Sequence, residues 1–149
     1  CLEAIETEIK SSDMVLDVGC GSGILSIAAL MLGASHVTCL DVDEDSVKST
    51  RNNMECAGVS GKYQIIKGTL PNKNVLIGKY NITVANISAS VVMSMASLLV
   101  ETIIDEGVLF VSGILDEKVE DVIVSFEKYG KVIDSKRIND WNLLTIAHS

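Results

Sequence analysis

The chain has 149 residues, 48% of them hydrophobic and 21% charged, which fits one folded domain with a full core and leaves no room for two. Its 12 basic and 20 acidic residues give a net charge of −8, which repels phosphate backbones and argues against direct nucleic-acid binding; a basic protein partner suits it better. The uncharged run from Val84 to Val100 is interrupted by Asn86 and by serines and has helical periodicity, which excludes a membrane span on sequence grounds.

No secretory pattern opens the chain. It begins at Cys1 rather than Met, which predicts a piece of a longer gene product. The cysteines at 1, 20, 39 and 56 form no C-x-x-C pair, and His36 and His148 have no ligand-like spacing, so no structural metal is expected. Free cysteines without a secretory signal predict a reducing, cytoplasmic setting.

In chain order, Leu2, Ile5 and Ile9 predict a short amphipathic helix. Met14 to Val18 is an apolar run that ends in glycines, hence a buried strand. Ile24 to Leu32 predicts a buried helix stopped by Gly33, and His36 to Leu40 a second strand. Asp43 is placed to cap a helix from Glu44 to Ala57, stopped by Gly58, and Tyr63 to Lys67 is a third strand.

After a loop around Pro71, Ile82 to Ala85 predicts a fourth strand, and Val92, Met95, Leu99 and Ile103 one face of a single helix. Val108 to Val111 is a fifth strand, and Val119, Val122, Ile123 and Phe126 mark a helix ended by Gly130. Val132 to Ile138 and Leu143 to Ala147 form a hairpin across Asn139-Asp140. Strands alternating with helices predict an α/β fold: a doubly wound, mostly parallel, seven-stranded Rossmann-like sheet closed by a C-terminal antiparallel hairpin, in one domain over residues 1–149.

The first strand runs into Asp17-Val18-Gly19-Cys20-Gly21-Ser22-Gly23, with a helix immediately behind. Glycines at this strand end permit a tight turn and a close ligand approach. A dinucleotide loop, G-x-G-x-x-G, needs its third glycine where Ile24 stands. The glycines fall instead at 19, 21 and 23. Asp41 ends the second strand, about twenty residues after Gly19, where a carboxylate accepts hydrogen bonds from ribose hydroxyls. That feature supports a nucleoside without choosing its type, and a surface turn is the alternative for Asp41. After the third strand, Thr69 stands near the place where many methyltransferases carry an acid on the adenine amino group; by that resemblance it is a weaker, uncharged candidate for the contact, with an ordinary loop residue as its alternative. At the fourth strand tip, Asn86 resembles the Asn that amine and amide methyltransferases often carry there, which implies that its carbonyl accepts a hydrogen from the attacking nitrogen, that it contacts the cofactor, or both; capping the next helix is the alternative.

The G-x-G-x-G loop opened by Asp17 resembles the first motif of class I S-adenosylmethionine (SAM)-dependent methyltransferases. With Val84-Ala85-Asn86-Ile87 and Ser112-Gly113-Ile114-Leu115 following in order, nearly the whole chain resembles the PrmA family, the methyltransferases of ribosomal protein L11. The resemblance implies SAM as cofactor and N-methylation of lysine side chains and the N-terminal amine of that basic ribosomal protein. It maps Gly19, Asp41 and Asn86 onto cofactor-binding positions and adds Asp17, Gly21, Gly23 and Thr69 as supporting candidates. Asn86 is the candidate catalytic residue, and no metal is implied. Two features depart from the family: Asn81 stands where Asp is usual, and the family's substrate-recognition domain and Gly-x-Gly-x-His stretch lie outside this chain. Cys20 reads as a small packing residue, the Met93/Met95 pair as core, and Trp141 either as a border of the substrate entrance or as a hydrophobic anchor. A cofactor-binding domain without turnover and an NAD-dependent oxidoreductase are the competing functions.

Overall fold

Side chains on a strand alternate between the two faces of a sheet, so an apolar strand with no polar alternation needs cover on both sides. The computed structural model, which describes residues 1–59 and 62–149, supplies that cover. Val15, Val37, Cys39, Ile82, Val84 and Phe110 point to one face, beneath α1 (Leu2–Glu8), α2 (Ile24–Met31) and α3 (Glu44–Cys56). Their neighbours Leu16, Val18, Leu40, Leu109 and Val111 point to the other, beneath α4 (Ala89–Ser94), α5 (Ala96–Thr102) and α6 (Val119–Phe126). Burial of these side chains, at about 1.5–3 kcal/mol each, is the main favourable contribution to the fold.

The strands are β1 (Met14–Val18), β2 (His36–Asp41), β3 (Tyr63–Lys67), β4 (Tyr80–Asn86), β5 (Ile103–Leu115), β6 (Lys131–Ile138) and β7 (Trp141–Ala147). They form one seven-stranded sheet in the order β3-β2-β1-β4-β5-β7-β6. β1 to β5 pair in parallel, and β7 lies antiparallel between β5 and β6. The doubly wound sheet and closing hairpin expected from the sequence are both present. β1 is flanked by β2 on one side and β4 on the other, so the chain changes winding direction there. Crevices for ligands open at the carboxyl ends of strands at such a switch point.

Four expectations on element limits are corrected. The single helix through Ile103 is two helices, broken at Met95 (φ −114°, ψ 11°), and Ile103 instead starts β5, paired with Tyr80. The apolar period survives the break because Val92, Leu99 and Ile103 all face the same core. β5 extends well beyond Val108–Val111, because the exposed Asp105 and Glu106 interrupt the apolar pattern but not the backbone. α6 ends at Phe126, short of Gly130, and β7 starts at Trp141, two residues before Leu143. The hairpin turn holds Asn139 at φ 56°, a conformation Asn tolerates well. Asp43 caps α3 as expected, accepting from the Ser46 amide at 2.9 Å. Among the described residues no helix is long and apolar enough to cross a membrane.

Candidate functional site

The β1 loop is shaped by glycine. Gly19, Gly21 and Gly23 all have positive φ (76°, 55° and 79°), which strains any L side chain. A Cβ on Gly19 would also run into Cγ2 of Ile87, and one on Gly23, the N-cap of α2, would sit 2.9 Å from Cγ2 of Thr50. The loop is tied to β2 by the amides of Gly19 and Cys20, which donate to the Leu40 carbonyl at 2.7 and 3.2 Å.

Asp41 is half-buried at the β2 tip. Its Oδ2 accepts from the Gly21 amide and its Oδ1 from the Asp43 amide, both at 2.9 Å. Those bonds fix the carboxylate, and each oxygen keeps a further lone pair. The Gly68 amide donates to the Asp41 carbonyl at 2.8 Å, which draws the β3 loop to the same place. There the exposed Thr69 donates to Sδ of Met95 at 3.5 Å.

These loops enclose a cavity of about 230 Å³ at the switch point. Gly19, Asp41, Val42, Thr69, Ile87 and Met95 are on its wall; among the described residues Asp41 is its single charged side chain, and no Lys, Arg or His lines it. An apolar slot with one fixed carboxylate suits an uncharged base and a ribose. It offers no cation to a pyrophosphate, and Ile24, where a dinucleotide loop has its third glycine, is a half-exposed side chain on the first turn of α2. The sequence reading of Met95 as core is incomplete: the side chain is buried and also lines the cavity.

Asp17 lies beneath the loop, only 1% exposed, and accepts from Oγ of Ser26 in α2 at 2.6 Å. Burial pushes its pKa up to about 6 from an ordinary 3.8, and the Ser26 hydrogen bonds draw it partly back. Cys39 Sγ in turn donates to Ser26 Oγ at 3.2 Å. The geometry puts Asp17 in the support of the loop rather than on the cavity wall. Cys20 is buried beside Thr50, its Sγ 3.3 Å from Oγ1, in keeping with a packing role. Neither Ser26 nor Thr50 was marked by the sequence, since their partners come from other elements.

Asn86 stands exposed at the β4 tip, next to Ile87 on the cavity wall. Ser88, not Asn86, holds the N-cap position of α4, which removes the helix-cap alternative. Across the sheet Asn86 faces Ser112, and a Cβ on Gly113 would lie 3.3 Å from its Oδ1. Asn81 Oδ1 accepts from the Met14 amide at 2.9 Å, a bond that an Asp at this place would make equally well. Trp141, about half exposed at the start of β7, borders a separate cavity of about 200 Å³ with Ser112 and Asn142.

The doubly wound sheet, glycine loop and strand-tip carboxylate together define the architecture of a class I methyltransferase. The solved structures it resembles agree. A ribosomal protein L11 methylase from Lactobacillus delbrueckii superposes with a TM-score of 0.91 at 27% identity, over 99% of this chain and 76% of that one. A Pyrococcus horikoshii protein gives 0.82 at 12% identity, which speaks for the fold alone. The family model described as Ribosomal protein L11 methyltransferase (PrmA) matches residues 1–149, and the chain belongs to that family. It is 38% identical over 143 residues to the ribosomal protein L11 methyltransferase of Staphylococcus epidermidis and 41% identical over 143 residues to that of Agathobacter rectalis. Those matches cover 95% and 91% of this chain but 45% and 44% of the relatives, so the chain spans under half the length of the curated relatives it matches.

Proposed function

We propose that this chain is the cofactor-binding and catalytic part of a SAM-dependent N-methyltransferase that modifies amino groups of ribosomal protein L11 in the cytoplasm. The observation that carries the cofactor class is the switch-point cavity, apolar, free of cations, and closed on one side by the fixed carboxylate of Asp41. The substrate class rests on membership of the family and on the acidic balance of the chain, which favours a basic protein.

Gly19 and Gly21 would present backbone to the cofactor's amino-acid portion, Asp41 would accept from its ribose hydroxyls, and Thr69 would hydrogen-bond its adenine. Gly23 and Asp17 act from behind, holding α2 and the loop in register. When bound, SAM supplies an electrophilic methyl group on a sulfonium. The chain's own contribution is to position the amine and keep it neutral. Free lysine has a pKa of about 10.4, so the reactive form is scarce at neutral pH, and burial near the site lowers that value. Oδ1 of Asn86 accepts one amine hydrogen and so aims the nitrogen lone pair. No general base is assigned to the β4 tip in this reading, and water takes the proton that the amine releases. Positioning of this kind supplies a large share of the barrier reduction.

The test is a calorimetric titration of the chain with SAM, S-adenosylhomocysteine and NAD, followed by a methylation assay on ribosomal protein L11 with the whole gene product. Binding of the SAM-type ligands and methyl transfer to L11 amines are expected. Binding of NAD alone would return the site to an oxidoreductase, and SAM binding without transfer by the whole product would make it a domain without turnover.

A further inference from the structure

The face of the sheet that carries α1 is not filled out to β6. Ala4, Thr7 and Glu8 of α1 form one wall of a trough, and Ile133, Asp134 and Lys136 of β6 form the other, around a cavity of about 150 Å³. Val108, Phe110, Leu143 and Thr145 of the sheet make its floor. The cavity bordered by Trp141 continues it, for the two share Ala4, Lys136 and Leu143. That second cavity ends at Ser112, the register partner of Asn86. A line of open space therefore runs along α1 and finishes beside the strand tip that carries the candidate catalytic amide.

Its chemistry is mixed in a particular way. Ile133, Ile138 and Trp141 are each more than half exposed along it, and among the described residues Glu3, Glu8 and Asp134 outnumber its two cationic groups, Lys136 and the Cys1 ammonium. Lysine side chains suit such a surface, since their stems cover apolar groups while the ammonium reaches a carboxylate. An extended chain turns alternate side chains toward and away from the floor, and so offers lysines at regular intervals.

We infer that the trough between α1 and β6 is the docking track for an extended, lysine-bearing segment of the basic protein substrate, which it leads toward Asn86. This rests on the methyltransferase reading, and it assigns a surface that the cofactor cavity does not include. The occupant follows from the acidic excess at the walls and from the continuity of the trough with the β4 and β5 tips.

The experiment uses the full chain saturated with S-adenosylhomocysteine and a short fluorescein-labelled peptide of alternating Lys and Ala, read by fluorescence anisotropy at low salt. Glu8→Lys lies at the trough end away from Asn86, and Lys136→Glu at its middle; both are surface positions outside the cofactor cavity. Glu8→Lys should weaken the peptide about fivefold and Lys136→Glu should tighten it by a similar factor, the scale of exposed charge pairs. Calorimetry should give unchanged S-adenosylhomocysteine affinity in both. A parent chain that does not bind the peptide, or variants that bind it equally, would overturn the docking track. Loss of cofactor binding by the parent with the peptide shifts intact would overturn the methyltransferase reading and leave the track standing.

Discussion

Gly19 and Ile87 touch: the space a Cβ would need on Gly19 is taken by Cγ2 of Ile87. The contact joins the glycine loop after β1 to the residue after Asn86, so the proposed cofactor loop and the candidate catalytic strand tip are set against each other by van der Waals packing.

Gly19→Ala forces a side chain into that contact at a φ of 76°. Left-handed strain and overpacking together should lower stability by about 2–5 kcal/mol. Adding Ile87→Ala removes the clash but not the strain. The double variant should therefore be more stable than the sum of the two single changes by about 0.5–3 kcal/mol, measured by urea unfolding. Additive losses would mean the two residues are not coupled.

Asp41→Ala should weaken SAM binding by about 1.5–3 kcal/mol, the range for a hydrogen bond to a charged group. The thermal midpoint should fall less than in a core variant, because Asp41 sits at a strand tip, although the Gly21 and Asp43 amides lose their acceptor. Calorimetry on the folded variant decides it, and unchanged affinity would remove Asp41 from the ribose site.

Asp17 gives a pH test. Its pKa in the folded chain is raised from 3.8 to about 6, so folding takes up a proton between those values. Stability tied to this group is fully present below about pH 3.8 and is lost as pH rises through about 6. Asp17→Asn keeps an acceptor for Ser26 without the charge. Its stability relative to the parent should improve between pH 4 and pH 7, by at most about 3 kcal/mol. Parallel stability curves for the two proteins would show that Asp17 ionises in the fold as freely as in water.

Asn86 is tested through rate rather than affinity. In the whole gene product Asn86→Ala should reduce methyl transfer more than SAM binding, the mark of an interaction made in the transition state. Asn86→Asp keeps an acceptor but adds a negative charge that favours the protonated, unreactive amine. It should retain cofactor binding and need a higher pH for activity. Superimposed pH–rate profiles for Asn86→Asp and the parent would leave the amide with no part in orienting the amine.

The sequence by itself determined the number and order of the strands, the winding and the place of the loop, though not the limits of β5 and β7. Apolar runs such as Met14–Val18, punctuated by glycines at 19, 21 and 23, are set by neighbours along the chain, and a short window holds that information. The positions of Asp41 and Asn86 at the ends of β2 and β4 were legible for the same reason, as polar residues closing apolar strands. Only the tertiary structure decided what those residues touch. Ser26 beneath Asp17, Ile87 against Gly19 and the Gly21 amide on Asp41 depend on strand register and helix placement, which bring together residues from separate elements. The break at Met95 was hidden because two helices that face one core keep one apolar period. The trough between α1 and β6 was hidden because open space is made where elements fail to meet, and no residue in the sequence encodes a gap.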